Sequence, residues 1–163
     1  MLGFVPQFHE PFEGALCRAY TARAPFHAGS TEDGWDETAA RVAYQDIEAI
    51  VQEHHAEIAA IILEPLCQGA AGMRIYHPSY LKFVRGLCDT YSLPLIADEI
   101  AVGFGRTCAM FACERAGIVP DIICLGKAMT AGYLPMSAAI VTDRIYDTFR
   151  NDGARDRTFY DGH

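Results

Sequence analysis

The chain has 163 residues, 51% of them apolar and 21% charged, with a formal net charge of −8. That length and apolar share exclude a disordered segment and predict one compact domain around a packed core. Thirteen basic residues against 21 acidic ones exclude an extended nucleic-acid or anionic-membrane footprint, and no run reaches the roughly 18–20 apolar residues of a membrane span.

Residues 1–35 read as an irregular surface segment. Phe4-Val-Pro-Gln, Glu10-Pro-Phe and Ala24-Pro-Phe-His interleave proline with aromatics, and residues 29–34 form a polar, turn-rich stretch. From Asp36 to about His55, Val42, Ile47, Ile50 and Val51 recur at helical spacing and predict an amphipathic helix. Ile58–Leu63 is a short apolar run ended by Glu64-Pro65, as a strand buried on both faces would be. After the Gly69–Gly72 loop, Pro78 opens a second helix with Leu81, Val84, Leu87, Cys88 and Tyr91 on one side and Lys82, Arg85 and Asp89 on the other. Leu93–Ala97 is the next buried strand, halted at Asp98-Glu99. A short helix near Met110–Ala116 leads to a third strand, Ile122–Leu125, halted at Gly126-Lys127. Ser137–Val141 follows only about ten residues later, too close for a parallel crossover, so it is expected to run antiparallel.

Alternating strands and helices predict an α/β fold with a mostly parallel sheet. The carboxyl ends of parallel strands share one edge, where ligands of open α/β sheets bind. Glu64, Asp98 and Lys127 each follow such a strand. Lys127 is one of only two lysines, and at a strand end it is expected to be partly desolvated and available for attack on a carbonyl. Lys82 reads as an exposed helix residue. Asp98 suits a base, a metal ligand, a partner for a heteroaromatic cation or a simple turn cap. His54, His55 and His77 are not at ligand spacing with it, so no metal site is expected. Gly103-Phe-Gly105-Arg106 lacks the spacing of a nucleotide fingerprint. Six cysteines, none in a Cys-x-x-Cys pair, read as buried reduced thiols. Met1-Leu-Gly-Phe lacks the basic and apolar regions of a signal peptide, which gives a cytoplasmic expectation.

Asp98-Glu-Ile-Ala-Val-Gly-Phe-Gly-Arg-Thr107 after one strand, and Pro120-Asp-Ile-Ile-Cys-Leu-Gly-Lys127 through the next, resemble the class III aminotransferases, pyridoxal-phosphate enzymes of fold type I. The likeness runs from about Ile58 to His163. Gln68-Gly-Ala-Ala-Gly-Met73, Ala101 and Phe111-Ala-Cys-Glu114 look most like the branch of the class that serves biotin synthesis; ornithine- and GABA-type relatives usually carry Gln at the Ala101 position. Val102 and Cys108 stand where that branch usually has Thr and Gly, and Ala131 replaces its second glycine after the lysine.

The resemblance implies a three-layer large domain, here residues 36–163 in part, without the upstream phosphate-cup region and the C-terminal small domain. It implies pyridoxal 5'-phosphate as cofactor, a small-molecule amine donor and oxo-acid acceptor (S-adenosylmethionine and 8-amino-7-oxononanoate for the biotin branch), and a homodimer at full length. Lys127 is then the residue whose amine bonds to the cofactor and afterwards moves a proton. Asp98 pairs with the pyridine nitrogen, and Ile100, two residues on along the strand period, is the apolar platform under the ring. Glu64 is implied as a cofactor neighbour and Arg106 as a substrate contact, each also open to a purely structural reading. Phe159–His163 resembles the start of a segment that reaches the partner subunit's phosphate. A different amine and oxo-acid pair, or an inactive module of a transaminase, are the alternatives.

Overall fold

The computed structural model describes residue 10, residues 18–25 and residues 37–149. Most of the expected irregular segment 1–35 and the stretch Phe159–His163 lie outside the described residues. Residues 18–25 carry no regular element and lie against the first helix and the turn after it: the Arg23 N–H donates to Asp46 Oδ2 at 2.7 Å, and the Tyr20 hydroxyl donates to Glu57 Oε2 at 2.9 Å.

The elements follow in order: α1 (Glu37–His54), β1 (Ile61–Leu63), β2 (Cys67–Gln68), β3 (Arg74–Ile75), α2 (Pro78–Tyr91), β4 (Leu95–Asp98), α3 (Ala112–Ala116), β5 (Ile122–Leu125), β6 (Ala138–Val141) and α4 (Asp143–Phe149). The main sheet has the order β1-β4-β5-β6; β1, β4 and β5 are parallel and β6 is antiparallel to β5, as the short connection requires. The small antiparallel pair β2–β3 and the helix α4 carry no periodic apolar signal and were not expected from the sequence.

In α1 the buried stripe is Ala43, Ile47 and Val51, spaced by four, while Val42 is 47% exposed. Ile47 and Val51 thus hold the places expected of them and Ile50 is half-buried, while Ala43 takes the place expected of Val42. Proline at the start of α2 and the His77 ring nitrogen accepting the Ser79 N–H define its beginning. Ser92 at φ +56 ends it. Tyr80, Leu81, Val84, Leu87 and Cys88 point into the core, which α1, α2 and α3 share with Leu95 and Val102. Each of the larger side chains contributes roughly 1.5–3 kcal/mol on burial.

Only β4 has the deep burial expected for all three parallel strands. The register aligns Ile61 and Leu63 with Leu95 and Ala97 on the face that meets the core; Ile62, Ile96 and Ile122 lie on the other face and are half-buried. In β1 all three residues are half-buried, and in β5 only Leu125 is buried.

Arg85 departs from the solvated role expected of it. Its Nη1 donates to Asp121 Oδ2 at 2.7 Å, Arg144 Nη2 reaches Oδ1 at 2.8 Å, and the Leu95 N–H also donates to Oδ2 at 2.9 Å. This pins α2, α4 and the starts of β4 and β5 to one carboxylate. Burial pushes the Asp121 carboxyl up, but the Leu95 N–H and the two guanidinium groups outweigh it and hold it at about 2, below its ordinary 3.8. A depressed folded-state value stabilises above the unfolded value and is lost as pH falls through the folded one. Unfolding free energy is therefore expected to fall by about 2 kcal/mol between pH ~5 and pH ~2 on account of this group, and Asp121→Asn should flatten that acid slope in urea titrations. An unchanged slope would remove Asp121 from this role.

The five described cysteines are free thiols. Cys88 and Cys113 are buried, and burial pushes both thiols up, Cys88 to about 11. Cys67 and Cys124 are half-buried and Cys108 is exposed, contrary to the expectation of uniform burial.

Candidate active site

The carboxyl ends of β1, β4 and β5 place three functional groups along one edge. Leu63 pairs with Ala97 and Asp98 pairs with Cys124, so Glu64 and Asp98 end neighbouring strands at the same level, and Gly126-Lys127 follows β5 directly. A parallel ladder aligns strand ends in this way because its hydrogen bonds are evenly spaced.

Asp98 is 7% exposed. Its Oδ1 accepts the Ile100 N–H at 2.9 Å. Among the described residues no hydrogen bond reaches its second oxygen, Oδ2. Oδ2 is not among the polar atoms buried without a partner, so it keeps its access to solvent and is open to an incoming donor or cation. Its charge is felt by Cys124, whose half-buried thiol is pushed up first by burial and then by Asp98.

Ile100 does not continue the strand. β4 stops at Asp98, and Ile100 begins the turns that run through residue 107. It reaches the site by another route: a Cβ built on Gly126 would lie 3.3 Å from Ile100 Cγ2. Gly126 itself is extended (φ −175°), so space and not backbone freedom favours glycine there. Ile100 thus packs over the residue before Lys127.

Lys127 opens a short 3-10 turn, Lys127–Met129, with φ +41°. This left-handed backbone is uncommon outside glycine and turns the chain sharply off the strand. The expected partial desolvation is not observed: Lys127 is exposed among the described residues, as is most of the segment through Ser137. Lys82 is exposed on α2, as expected.

Glu64 is half-buried. Its Oε2 accepts the Gly69 N–H at 2.8 Å, and its carbonyl accepts the buried Tyr76 hydroxyl at 2.6 Å. Both bonds bring the loop before β3 against the strand end. Ala101 closes the same corner, since a Cβ on Gly69 would lie 3.4 Å from Glu64 Oε2 and 4.0 Å from Ala101 Cβ. Arg106 is exposed, next to Gly105 at φ +89°.

Cys108 and Ala131, the two positions where glycine is usual in the resembling branch, have φ +62° and +52°. A side chain in this region costs roughly 1–2 kcal/mol, so the two substitutions retain the glycine-type backbone at an energetic cost. Glu99, in sequence only the residue that halts a strand, is fully buried, and its carboxylate accepts the Ala112 and Cys113 N–H groups at 2.8 Å each. No spacing signal marks such a residue, because its partners lie 13 and 14 positions away.

The family described as Aminotransferase class-III matches residues 5–161. The adenosylmethionine-8-amino-7-oxononanoate aminotransferases of Nitratidesulfovibrio vulgaris and Geobacter sulfurreducens are 41% and 43% identical to the chain over 99% of it, and 30% and 36% of their own lengths are covered. The crystal structure of the enzyme of that name from Methanocaldococcus jannaschii matches with a TM-score of 0.80 at 33% identity, over 97% of this chain and 34% of that one. Plasmodium falciparum ornithine delta-aminotransferase matches with a TM-score of 0.57 at 36% identity, over 61% of this chain and 25% of that one. The chain spans about a third of the length of these curated relatives.

Proposed function

The chain belongs to the class-III aminotransferase family, and on that premise we propose that it is the cofactor-binding part of a pyridoxal-phosphate-dependent transaminase. The reaction we assign is transfer of the amino group of S-adenosylmethionine to 8-amino-7-oxononanoate, giving 7,8-diaminononanoate for biotin synthesis; the names of the 41–43% identical relatives support it. On this reading residues 36–163 are part of the large domain, residues 1–35 are a surface segment, and the working unit is a homodimer.

The observation that carries the reading is Asp98, buried with Oδ2 uncommitted on the strand beside the one that leads into Lys127. This fits a protonated pyridine nitrogen, a cationic donor that an accessible carboxylate oxygen would accept in a charge-assisted hydrogen bond. When bound, the cofactor supplies the sink for the electron pair left as a proton leaves the amino-bearing carbon. Lys127 Nζ would hold the cofactor covalently, and once displaced by the donor amine it would move that proton. Asp98 Oδ2 would keep the ring nitrogen protonated, and Ile100 would present an apolar surface to the ring. Glu64, with Oε2 held by Gly69, would keep Oε1 toward the bound molecules, and Arg106 would meet an anionic substrate group.

Titration with pyridoxal phosphate tests this directly. A near-visible band is expected as the cofactor bonds to the chain, and S-adenosylmethionine is expected to discharge it while ornithine does not. Absence of the band at every cofactor concentration sinks the cofactor reading. Discharge by ornithine alone removes the biotin-branch assignment and leaves a different class III donor.

A further inference from the structure

Resting on the reading of Asp98 as the residue that holds the cofactor ring, we propose that Glu99 is a positioning residue for Asp98. Four hydrogen bonds converge on it. Oε2 and Oε1 accept the Ala112 and Cys113 N–H groups at 2.8 Å each. The Glu99 N–H donates to the Cys124 carbonyl at 3.0 Å, and the Glu99 carbonyl accepts the Gly103 N–H at 2.8 Å. One fully buried residue thereby joins β5, the first turn of α3 and the loop that carries Ile100 and Arg106.

Burying a carboxylate is expensive, and an apolar residue of similar volume often serves stability as well. A carboxylate bonded through both oxygens adds a fixed position and a fixed angle. Glu99 stands between Asp98 and Ile100, the residue whose N–H holds Asp98 Oδ1 at 2.9 Å. With Glu99 clamped, neither the Asp98 backbone nor that N–H can swing, and Oδ2 keeps its place at the strand edge. Gly103 tightens the same knot: a Cβ there would lie 2.9 Å from the Glu99 carbonyl oxygen, so only glycine lets the loop fold back this closely.

Glu114 provides the control. It accepts the Phe111 N–H at 3.2 Å at the start of the same helix but makes no bond near Asp98. The experiment measures amide hydrogen exchange at Ile100 without cofactor, and the near-visible band with pyridoxal phosphate, in the parent chain, Glu99→Gln and Glu114→Gln. Glutamine keeps the volume but turns an NH2 group toward one of the two N–H donors. Glu99→Gln is expected to speed Ile100 exchange about tenfold or more, in a chain still folded by its urea transition, and to shift or broaden the band. Glu114→Gln should leave both readouts at the parent's values. The proposal is overturned if Glu99→Gln leaves Ile100 exchange unchanged, or if Glu114→Gln speeds it equally, which would reduce Glu99 to a helix cap. Should Glu99→Gln not fold, Glu99→Asp, one carbon shorter with the charge kept, is read in the same way. A parent chain that shows no band overturns the cofactor reading, while Ile100 exchange still decides for or against Glu99.

Discussion

Lys127→Ala is expected to abolish the near-visible band that pyridoxal phosphate acquires on bonding covalently to the chain, and Lys82→Ala to leave it intact. The sequence offers only these two side-chain amines. Lys82 is exposed on α2, whereas Lys127 follows Gly126, whose missing side chain lets Ile100 pack at the strand end. The loss should be complete, because alanine supplies no nucleophile and no other lysine can replace it. Stability should barely move. Lys127 is exposed, and its φ of +41° strains alanine as it strains lysine, so the strain of roughly 1–2 kcal/mol is common to both proteins. Absorbance titration, followed by borohydride reduction and mass measurement of the trapped adduct, gives the result. Retention of the band in Lys127→Ala, or its loss in Lys82→Ala, would show that the wrong lysine had been assigned.

The main sheet was legible because it rests on local apolar runs: Ile122–Leu125 is the predicted strand residue for residue, and the short return to Ala138–Val141 dictated its antiparallel sense. Helix α2 was legible from proline at its start and one apolar stripe. Contacts made across the fold were not. Asp121 lies 36 positions from Arg85 and 26 from Leu95, so no sequence period announces its clamp. The exposure of Lys127 was hidden for a different reason, since it belongs to a segment of irregular backbone that is exposed from Lys127 to Met129 and again from Ala131 to Ser137. Ile100 shows the reverse: the strand-period argument failed where β4 ended, yet the side chain still arrives beside Gly126 because the turn carries it there. At Cys108 and Ala131 the glycine-type conformations persisted although the glycines did not. Loop backbone is set by the hydrogen bonds around it as well as by the residue that occupies it.

Asp98→Asn separates binding from stability most sharply. Asparagine has nearly the same volume, and its carbonyl oxygen can still accept the Ile100 N–H, so the turn after β4 is preserved. Removing a charge that is 7% exposed also relieves desolvation beside the fully buried Glu99. The urea midpoint should therefore stay constant or rise. Cofactor affinity should change in the opposite sense: a hydrogen bond to a charged partner contributes roughly 1.5–3 kcal/mol against about 0.5–1.5 for a neutral one. The loss corresponds to pyridoxal phosphate binding weaker by about tenfold, with the upper end near a hundredfold. Discharge of the bound cofactor by the amine donor should slow further, by roughly 10²–10³, because an unprotonated ring withdraws negative charge poorly as it develops. Binding titrations and single-turnover absorbance changes supply these values beside the unfolding curves. Unaltered affinity with lowered stability would mean that Asp98 serves only the turn. Weakened binding with undiminished stability is the signature of a carboxylate kept buried for its partner.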